Sequence, residues 1–185
     1  MGCQCVQITS VMHIKRHLRR VSLNAFAQYN AMKYTETLTF LYEQLPMYQR
    51  VGSAAFKKDL TNIRDLLAVL GNPESKFASI HVGGTNGKGS VTDLLGAALQ
   101  AGGYKTGLYT SPHFKDFRER IKVDGKYVSR KFVVDFVERI QPKLSKIIPS
   151  FFEITAAMAF QYFAEQKVDI AVVEVGVGGR VSSAK

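Results

Sequence analysis

A glycine-rich segment in the first half of the chain carries residue types that suit phosphate binding. Its residues are, in order, Gly84, Thr85, Asn86, Gly87, Lys88, Gly89 and Ser90. Glycines let backbone N–H groups turn inward around phosphate oxygens, where side chains would obstruct the approach. Lys88 adds a full positive charge for the terminal phosphates of a nucleotide. The spacing departs from the common P-loop pattern, because Val82 and Gly89 replace an expected glycine and an expected serine or threonine.

The elements around this segment are those that a phosphate loop requires. The short apolar run from Phe77 to Val82 predicts a strand. A helix is predicted after the loop, with an apolar face formed by Val91, Leu94, Leu95, Ala98 and Leu99. The N-terminus of a helix carries a partial positive charge that favours anions. A glycine-rich turn with a solvated lysine is the alternative, and the order strand, loop, helix favours phosphate binding.

Strands and helices alternate along the rest of the chain. The pattern predicts two more strands, at Lys105 to Thr110 and Ile170 to Val175. It also predicts a helix capped by Ser129, with Phe132, Phe136 and Ile140 facing inward, and another at about 151–166. A hairpin is predicted around Asp124 and Gly125. This alternation predicts an α/β fold, in which a parallel sheet has flanking helices. Three loops follow predicted strands, at 83–90, 110–120 and 176–180, and we expect them to meet at one edge of the sheet.

The composition is that of an ordinary globular protein. The chain has 185 residues, of which 46% are hydrophobic and 22% charged, which excludes wholesale disorder. No apolar run is long enough for a transmembrane helix. The net charge of +10 is compatible with nucleic acid, an acidic membrane surface or anionic substrates. Cys3 and Cys5 form neither a disulfide framework nor a zinc site, so we expect a reduced, cytoplasmic protein.

Residues 1–31 differ from the rest, because they contain four basic residues and no Asp or Glu. Three interpretations stay open: a transit segment, a tail that binds RNA or membrane, or an upstream artefact with translation starting at Met32. We therefore treat 1–31 as a basic leader and place the folded domain at 32–185.

Two helices are predicted before the phosphate loop, one ended by Pro46 and one capped by Ser53.

Several segments resemble, in order and spacing, the motifs of one family. They are His81 to Ser90, Leu108 to His113, Arg118 to Ile121, Phe152 to Ala156 and Val172 to Arg180. These segments resemble the ATP loop and the following motifs of folylpolyglutamate synthases and dihydrofolate synthases, members of the Mur-ligase superfamily. The resemblance covers about residues 32–180, and its collinear motifs argue against chance similarity.

The resemblance implies a P-loop ATPase domain of the Mur-ligase type, here truncated, and an amide ligation. ATP would phosphorylate a carboxylate of dihydropteroate or folate, and the amino group of L-glutamate would attack the acyl phosphate. Charge neutralisation and positioning would carry the catalysis, with Lys88 on the terminal phosphates and Thr85 and Ser90 beside them. It further implies folate biosynthesis and one-carbon metabolism, a monomer when full length, and no nucleic-acid or membrane partner.

The resemblance also implies that Ser111 and Glu153 bind a first Mg²⁺, since hydroxyl and carboxylate oxygens suit a hard cation. Glu153 has a competing interpretation, because Ser150 and Glu153 also have the spacing of a capping box. For Ser111 the alternative is a Ser-Pro turn.

Arg118 and Arg120 are expected to contact the substrate, with solvated surface charge as the alternative. His113 and Glu174 are expected to have structural roles, Glu174 as a buried, hydrogen-bonded residue near the metal site.

The chain departs from the family pattern near its last residues. The family usually reads G-G-R-[LIV]-D-[AS]-T-N there, whereas Ser182 stands in place of the aspartate. Later family segments supply a histidine metal ligand, a modified lysine and adenine contacts, and a C-terminal domain follows. We therefore expect nucleotide binding without glutamate ligation by this chain alone. A cell-wall amino-acid ligase and a non-catalytic nucleotide- or RNA-binding remnant stay open, as does the choice between dihydrofolate and polyglutamate synthesis.

Overall fold

The computed structural model describes residues 33–43 and 60–176. The first helix, α1, covers 33–43, and α2 covers Thr61–Val69. After α2, Gly71 adopts a φ of 80° and Pro73 follows, as expected at the end of a helix. The features predicted at Pro46 and Ser53, the leader at 1–31 and most of the loop at 176–180 lie outside the described residues.

The remaining elements alternate as the sequence predicts. The strands are β1 (Ala78–Val82), β2 (Thr106–Tyr109), β3 (Ile121–Val123), β4 (Lys126–Tyr127) and β5 (Ile170–Glu174). The helices are α3 (Lys88–Ala101), α4 (Arg130–Ile140) and α5 (Phe151–Glu165). Short 3₁₀ helices lie at Pro73–Lys76, Phe117–Arg120 and Gln141–Lys143. The predicted α/β fold with flanking helices is confirmed.

The five strands form one sheet in the order β1-β5-β2-β3-β4. The strands β1, β5 and β2 are parallel, with Val82 beside Glu174 and Tyr109 beside Val173. The last strand of the described chain therefore lies between the first two, which explains its continuously apolar sequence. The carboxyl ends of these three strands lie side by side, so the loops that follow them begin at one edge of the sheet.

The hairpin β3–β4 extends the sheet beyond β2. It pairs antiparallel with β2, so the sheet is mixed rather than wholly parallel. Asp124 and Gly125 have φ values of 48° and 73°, which a two-residue hairpin turn of this kind requires. Within 33–43 and 60–176, β1 pairs with a strand on one side only, and its other side is an open edge of the sheet.

The predicted apolar face of α3 is wrong in part. Three of its five members are exposed: Val91, Leu94 and Ala98. The residues of α3 that are buried are Thr92 and Gly96. A Cβ at Gly96 would lie 2.6 Å from Cδ2 of Leu108, so the glycine allows the helix to approach β2 closely. Leu95 and Leu99, the other two members, are partly buried and pack against Val82, Leu108 and Val172. The side of α3 that faces the sheet therefore combines these two leucines with the buried Thr92 and Gly96.

The other face of the sheet is covered by α5, most of whose residues are buried. A Cβ at Gly107 would lie 2.8 Å from the ring of Phe163, so this helix also approaches the sheet closely. The inward face predicted for α4 is confirmed, since Phe136 and Ile140 are buried and Phe132 packs against the core. Among the helices of the described residues, none has the length and apolar character needed to cross a bilayer.

Candidate functional site

The phosphate loop joins the end of β1 to the start of α3. Gly84 and Gly87 have φ values of 152° and 75°, which favour glycine, and Gly87 is the N-cap of α3. The first backbone N–H groups of an α-helix have no partner within the helix, so those at the start of α3 can bind an anion. The first turn of α3 contains no acidic residue that would oppose this.

The side chain of Lys88 curls back over this loop. Its Nζ donates to the carbonyl oxygens of Gly84 and Thr85, at 3.0 and 3.4 Å. The ammonium of Lys88 therefore lies over the loop that leads into α3. Thr85, Asn86 and Ser90 are exposed around it. Their predicted contacts with phosphate stay predictions, but the geometry leaves these side chains accessible.

The loop that follows β2 is fixed to the end of β5. The backbone N–H of Ser111 donates to Oε2 of Glu174 at 3.0 Å, and Glu174 is only 4% exposed. The peptide bond between Ser111 and Pro112 is cis. No hydrogen bond of the Ser111 hydroxyl is found within the described residues. The expected meeting of the loops is thus confirmed for 110–120 and the end of β5, beside which β1 ends.

The loop at 110–120 binds its own backbone. Oε2 of Glu119 accepts from the N–H of Phe114 at 2.7 Å, and Oε1 accepts from those of Lys115 and Asp116 at 3.1 and 2.9 Å. These backbone hydrogen bonds lower the pKa of the Glu119 carboxyl. The N–H of Thr110 donates to the carbonyl oxygen of Arg120 at 3.0 Å, which closes the base of the loop.

The two arginines expected to contact substrate each have a partner inside this loop. Arg118 binds both carboxylate oxygens of Asp116, with Nε at 3.1 Å from each and Nη2 at 2.7 Å from Oδ2. This hydrogen bonding lowers the pKa of Asp116 to about 2. Arg120 is 7% exposed, which excludes the alternative of a solvated surface charge for it. A contact with substrate stays a prediction for both arginines.

His113 connects Arg120 to the first helix. Nε of Arg120 donates to Nδ1 of His113 at 2.8 Å, and Nε2 of His113 lies 3.0 Å from the hydroxyl of Tyr42 in α1. Burial and the nearby Arg120 lower the pKa of His113, so the ring is neutral at pH 7. These bonds agree with the structural role expected for His113.

Sequence reasoning missed two tyrosines of α1 that contact this loop. Tyr42 binds His113, and the hydroxyl of Tyr34 donates to Oδ1 of Asp116 at 3.3 Å. Burial, with the charge of Asp116 nearby, raises the pKa of Tyr34. The two tyrosines are eight residues apart, a spacing typical of one side of a helix, and that was the signal available in the sequence.

Glu153 forms the capping box at the start of α5. Its Oε2 accepts from the backbone N–H and the hydroxyl of Ser150, at 2.7 and 2.8 Å, and the N–H of Glu153 donates to the Ser150 hydroxyl at 3.3 Å. Its other carboxylate oxygen, Oε1, accepts no hydrogen bond from the described residues. Capping and cation binding are therefore compatible, because each can use a different oxygen.

The first turn of α5 lies beside the strand ends. The ring of Phe152 is 5.8 Å from that of Tyr109, the last residue of β2. A Cβ at Gly176, just after β5, would lie 2.6 Å from the Phe152 ring. Glu153 is the next residue of this helical turn and is 4% exposed. Its hydrogen bonds within the described residues go to Ser150.

Ser111 and Glu153 carry donor atoms of the types that suit a hard cation, and their joint binding of Mg²⁺ stays a prediction. Ser111 contributes a hydroxyl and Glu153 a carboxylate oxygen, which are ligand types that Mg²⁺ prefers. In the part of the chain that the structure describes, no group of three or more His, Cys, Asp or Glu residues could hold a metal ion. A magnesium site here would therefore combine these two donors with ligands of another kind, such as phosphate oxygens or water.

The fold and the glycine-rich loop define a class, the P-loop α/β domains of the Mur-ligase type. A comparison with protein-family models gives no match. Known proteins do match. The chain is 37% identical over 159 residues to the folylpolyglutamate synthase of Lacticaseibacillus casei, which covers 82% of this chain and 36% of that protein. It is 41% identical over 134 residues to the dihydrofolate synthase/folylpolyglutamate synthase of Bacillus subtilis, covering 69% of this chain and 31% of the relative.

Solved structures agree. The folylpolyglutamate synthase of Thermotoga maritima is 44% identical with a TM-score of 0.73, over 83% of this chain and 35% of that one. That of Mycobacterium tuberculosis, complexed with ADP, is 35% identical with a TM-score of 0.73, over 84% of this chain and 34% of that one. The chain belongs to the folylpolyglutamate/dihydrofolate synthase family, whose members are ATP-dependent ligases. It spans about a third of the length of these relatives.

Proposed function

We propose that this chain binds ATP with Mg²⁺ at the loop 83–90 and is part of a ligase that joins L-glutamate to dihydropteroate or folate. The observation that carries the proposal is the loop itself, in which glycines at positive φ precede a helix and Lys88 lies over them. Two relatives support it: one structure is a complex with ADP, and another is a complex of a folylpolyglutamate synthase with AMPPCP and folate. The matching relatives are folylpolyglutamate and dihydrofolate synthases, which favours dihydropteroate or folate as the substrate over a cell-wall peptide.

The residues of this chain would act mainly on the phosphates. The N–H groups at the start of α3 and the ammonium of Lys88 would bind the phosphate oxygens, with Thr85 and Ser90 as further donors. Ser111 and Oε1 of Glu153 would hold Mg²⁺ from the strand ends. When bound, the ion would neutralise phosphate charge and orient the terminal phosphate.

The proposed reaction has two steps, and both concern the whole protein. A carboxylate oxygen of the pteroate or folate attacks the γ-phosphorus of ATP, and ADP leaves. The amino group of glutamate then attacks the acyl carbon, an amide bond forms, and inorganic phosphate leaves. Two anions must approach each other in the first step, so the positive charges around the phosphate loop would lower its barrier. Arg118 and Arg120 stay candidates for contacts with a substrate other than ATP.

The test is calorimetric titration of the 185-residue chain with ATP, with and without Mg²⁺. Adenosine is the matched control ligand, because it keeps the base and sugar and lacks the phosphates. We expect adenosine to bind at least about tenfold more weakly than ATP, since charge-assisted hydrogen bonds to phosphate are the strong ones. Equal affinities for the two ligands, or no binding of ATP, would contradict the proposal. Product formation that requires glutamate and dihydropteroate or folate would extend it from binding to ligation.

A further inference from the structure

The geometry points to Arg120 as a positioning residue for the segment that carries Ser111. Arg120 fixes the ring of His113, and through that ring it ties the loop 110–116 to α1. For its effect on nucleotide binding the inference rests on the proposed function. Its effect on His113 does not depend on any ligand.

The direction of each hydrogen bond in this group follows from the arginine. A guanidinium donates hydrogen bonds and accepts none, so Nδ1 of His113 must be the acceptor at 2.8 Å. A neutral imidazole that accepts at Nδ1 carries its proton on Nε2. Nε2–H then donates to the hydroxyl oxygen of Tyr42 at 3.0 Å. Arg120 therefore selects one tautomer of His113, and that tautomer is the one that can donate to α1.

Arg120 is itself held rigidly. Its guanidinium carbon lies 5.2 Å from the centre of the Phe151 ring, and its backbone oxygen accepts from Thr110. The Phe151 ring also stacks on Tyr42, with the centroids 5.6 Å apart. The four side chains Tyr42, His113, Arg120 and Phe151 thus form a closed ring of contacts. A buried guanidinium held by these contacts can act on the site through its neighbours.

The segment from Ser111 to His113 is anchored at both ends. Glu174 holds the N–H of Ser111 at one end, and Arg120 holds the imidazole of His113 at the other. Only Pro112 separates Ser111 from His113, so a displacement of the imidazole that moves the backbone of His113 also shifts Ser111. Residues that orient a ligand in this indirect way typically change metal affinity or activity by about 10–100-fold when they are replaced.

The first test compares Arg120→Met and Arg120→Lys with Arg139→Met in the full chain. Arg139 is the matched control, because its guanidinium also lies over a ring, 5.7 Å from that of Phe136, but its side chain is 48% exposed. The imidazole ¹⁵N chemical shifts of His113, recorded at pH 8, report the tautomer. We expect the Nε2–H form alone in the parent and in Arg139→Met, and a mixture of tautomers in both Arg120 variants.

The second measurement is the affinity for ATP with Mg²⁺. We expect at least about tenfold weaker binding for both Arg120 variants and a change within about twofold for Arg139→Met. An unchanged tautomer in Arg120→Met would overturn the inference. So would unchanged ATP affinity in a variant whose tautomer has shifted. If the parent chain binds no ATP while the tautomer still responds to Arg120, the proposed function fails and the assignment of the His113 contact stands.

His113→Phe keeps the inference testable if the Arg120→Met variant does not fold. Phenylalanine preserves the ring but can neither accept from Arg120 nor donate to Tyr42. Because the two residues act as one unit, Arg120→Lys should weaken ATP binding in the parent and add less than about twofold in a His113→Phe background. Independent, multiplicative effects on affinity would mean that Arg120 does not act through His113.

Discussion

The loops at 83–90 and 110–120 start from the same edge of the sheet but are built in opposite ways. The first is exposed, and N–H groups at its end have no partner within α3. In the second, Glu119 accepts from three successive backbone N–H groups, and both arginines have partners within the loop. A loop whose donors stay available can receive an anion, whereas a loop that satisfies its own donors can hold other groups in place.

Lys88→Ala tests the role of the loop at 83–90 in binding ATP. We expect about 100-fold weaker binding of ATP with Mg²⁺, because a hydrogen bond between charged groups contributes about 2–3 kcal/mol. The free energy of unfolding should stay within about 0.5 kcal/mol of the parent, because substitutions of exposed residues away from the core rarely do more.

The control for Lys88 is Lys131→Ala. Lys131 also lies in the first turn of a helix, α4, where it pairs with Asp135. Titration calorimetry and urea unfolding of both variants make the test. Equal ATP affinity in Lys88→Ala and Lys131→Ala would remove Lys88 from the site.

Asp116→Asn removes a charge from the loop 110–120, and it should lower the free energy of unfolding by an amount that depends on pH. Hydrogen bonding to Arg118 lowers the pKa of Asp116 from its usual 3.8 to about 2. The stability that the charged carboxylate adds is therefore present above about pH 4 and is lost as pH falls through about 2. We expect the charged Asp116 carboxylate to add about 1 kcal/mol to the free energy of unfolding of the parent at pH 6, because solvent screens its partly exposed pair with Arg118.

The measurement is urea unfolding of parent and variant at pH 6 and pH 2.5. The difference in free energy of unfolding between parent and variant should be larger at pH 6 than at pH 2.5. Asp135→Asn is the control, because it removes a carboxylate from an exposed pair with Lys131 and should cost about 0.5 kcal/mol or less. A gap that is equal at both pH values would show that the charge of Asp116 is not what stabilises the loop.

Glu153→Gln tests whether the two carboxylate oxygens of Glu153 have different roles, one in capping α5 and one in binding Mg²⁺. The amide keeps much of the capping geometry, so the free energy of unfolding should fall by about 1 kcal/mol or less. If Oε1 binds Mg²⁺, the ratio of ATP dissociation constants without and with Mg²⁺ should fall towards one.

Ser150→Ala is the matched variant for this prediction. It removes the hydroxyl that bonds Oε2 of Glu153 and leaves the carboxylate in place. It should therefore lower stability by a similar amount and leave the Mg²⁺ ratio unchanged. A Glu153→Gln variant with the parent's Mg²⁺ ratio would leave Glu153 with the capping role alone.

Local features of the fold were predictable because they are written in short stretches of sequence. The apolar run before Gly83 predicted β1, and the Ser150–Glu153 spacing predicted the capping box. The turn at Asp124 and Gly125 was equally readable, because it needs residues that tolerate positive φ.

Long-range features could not be read in the same way. The position of β5 between β1 and β2 depends on pairing between residues 60 or more positions apart, which no local pattern specifies. Likewise, the apolar repeat of α3 gave no sign that Gly96 lies on the buried side, since that depends on its close approach to Leu108 in β2. Within the site, an arginine in sequence does not show whether its partner will be a substrate or, as for Arg120, a histidine seven residues away.

The close approach at Gly96 gives a residue without a side chain an influence on the distant end of its helix. Gly96 lies eight residues after Lys88, about 12 Å along the axis at 1.5 Å per residue. A Cβ at position 96 would lie 2.6 Å from the end of the Leu108 side chain, so either that side chain shifts or the middle of α3 moves outward. If α3 moves, the N–H groups of its first turn move relative to the loop. Position 96 can therefore influence the geometry of the loop at 83–90 although its residue does not touch that loop.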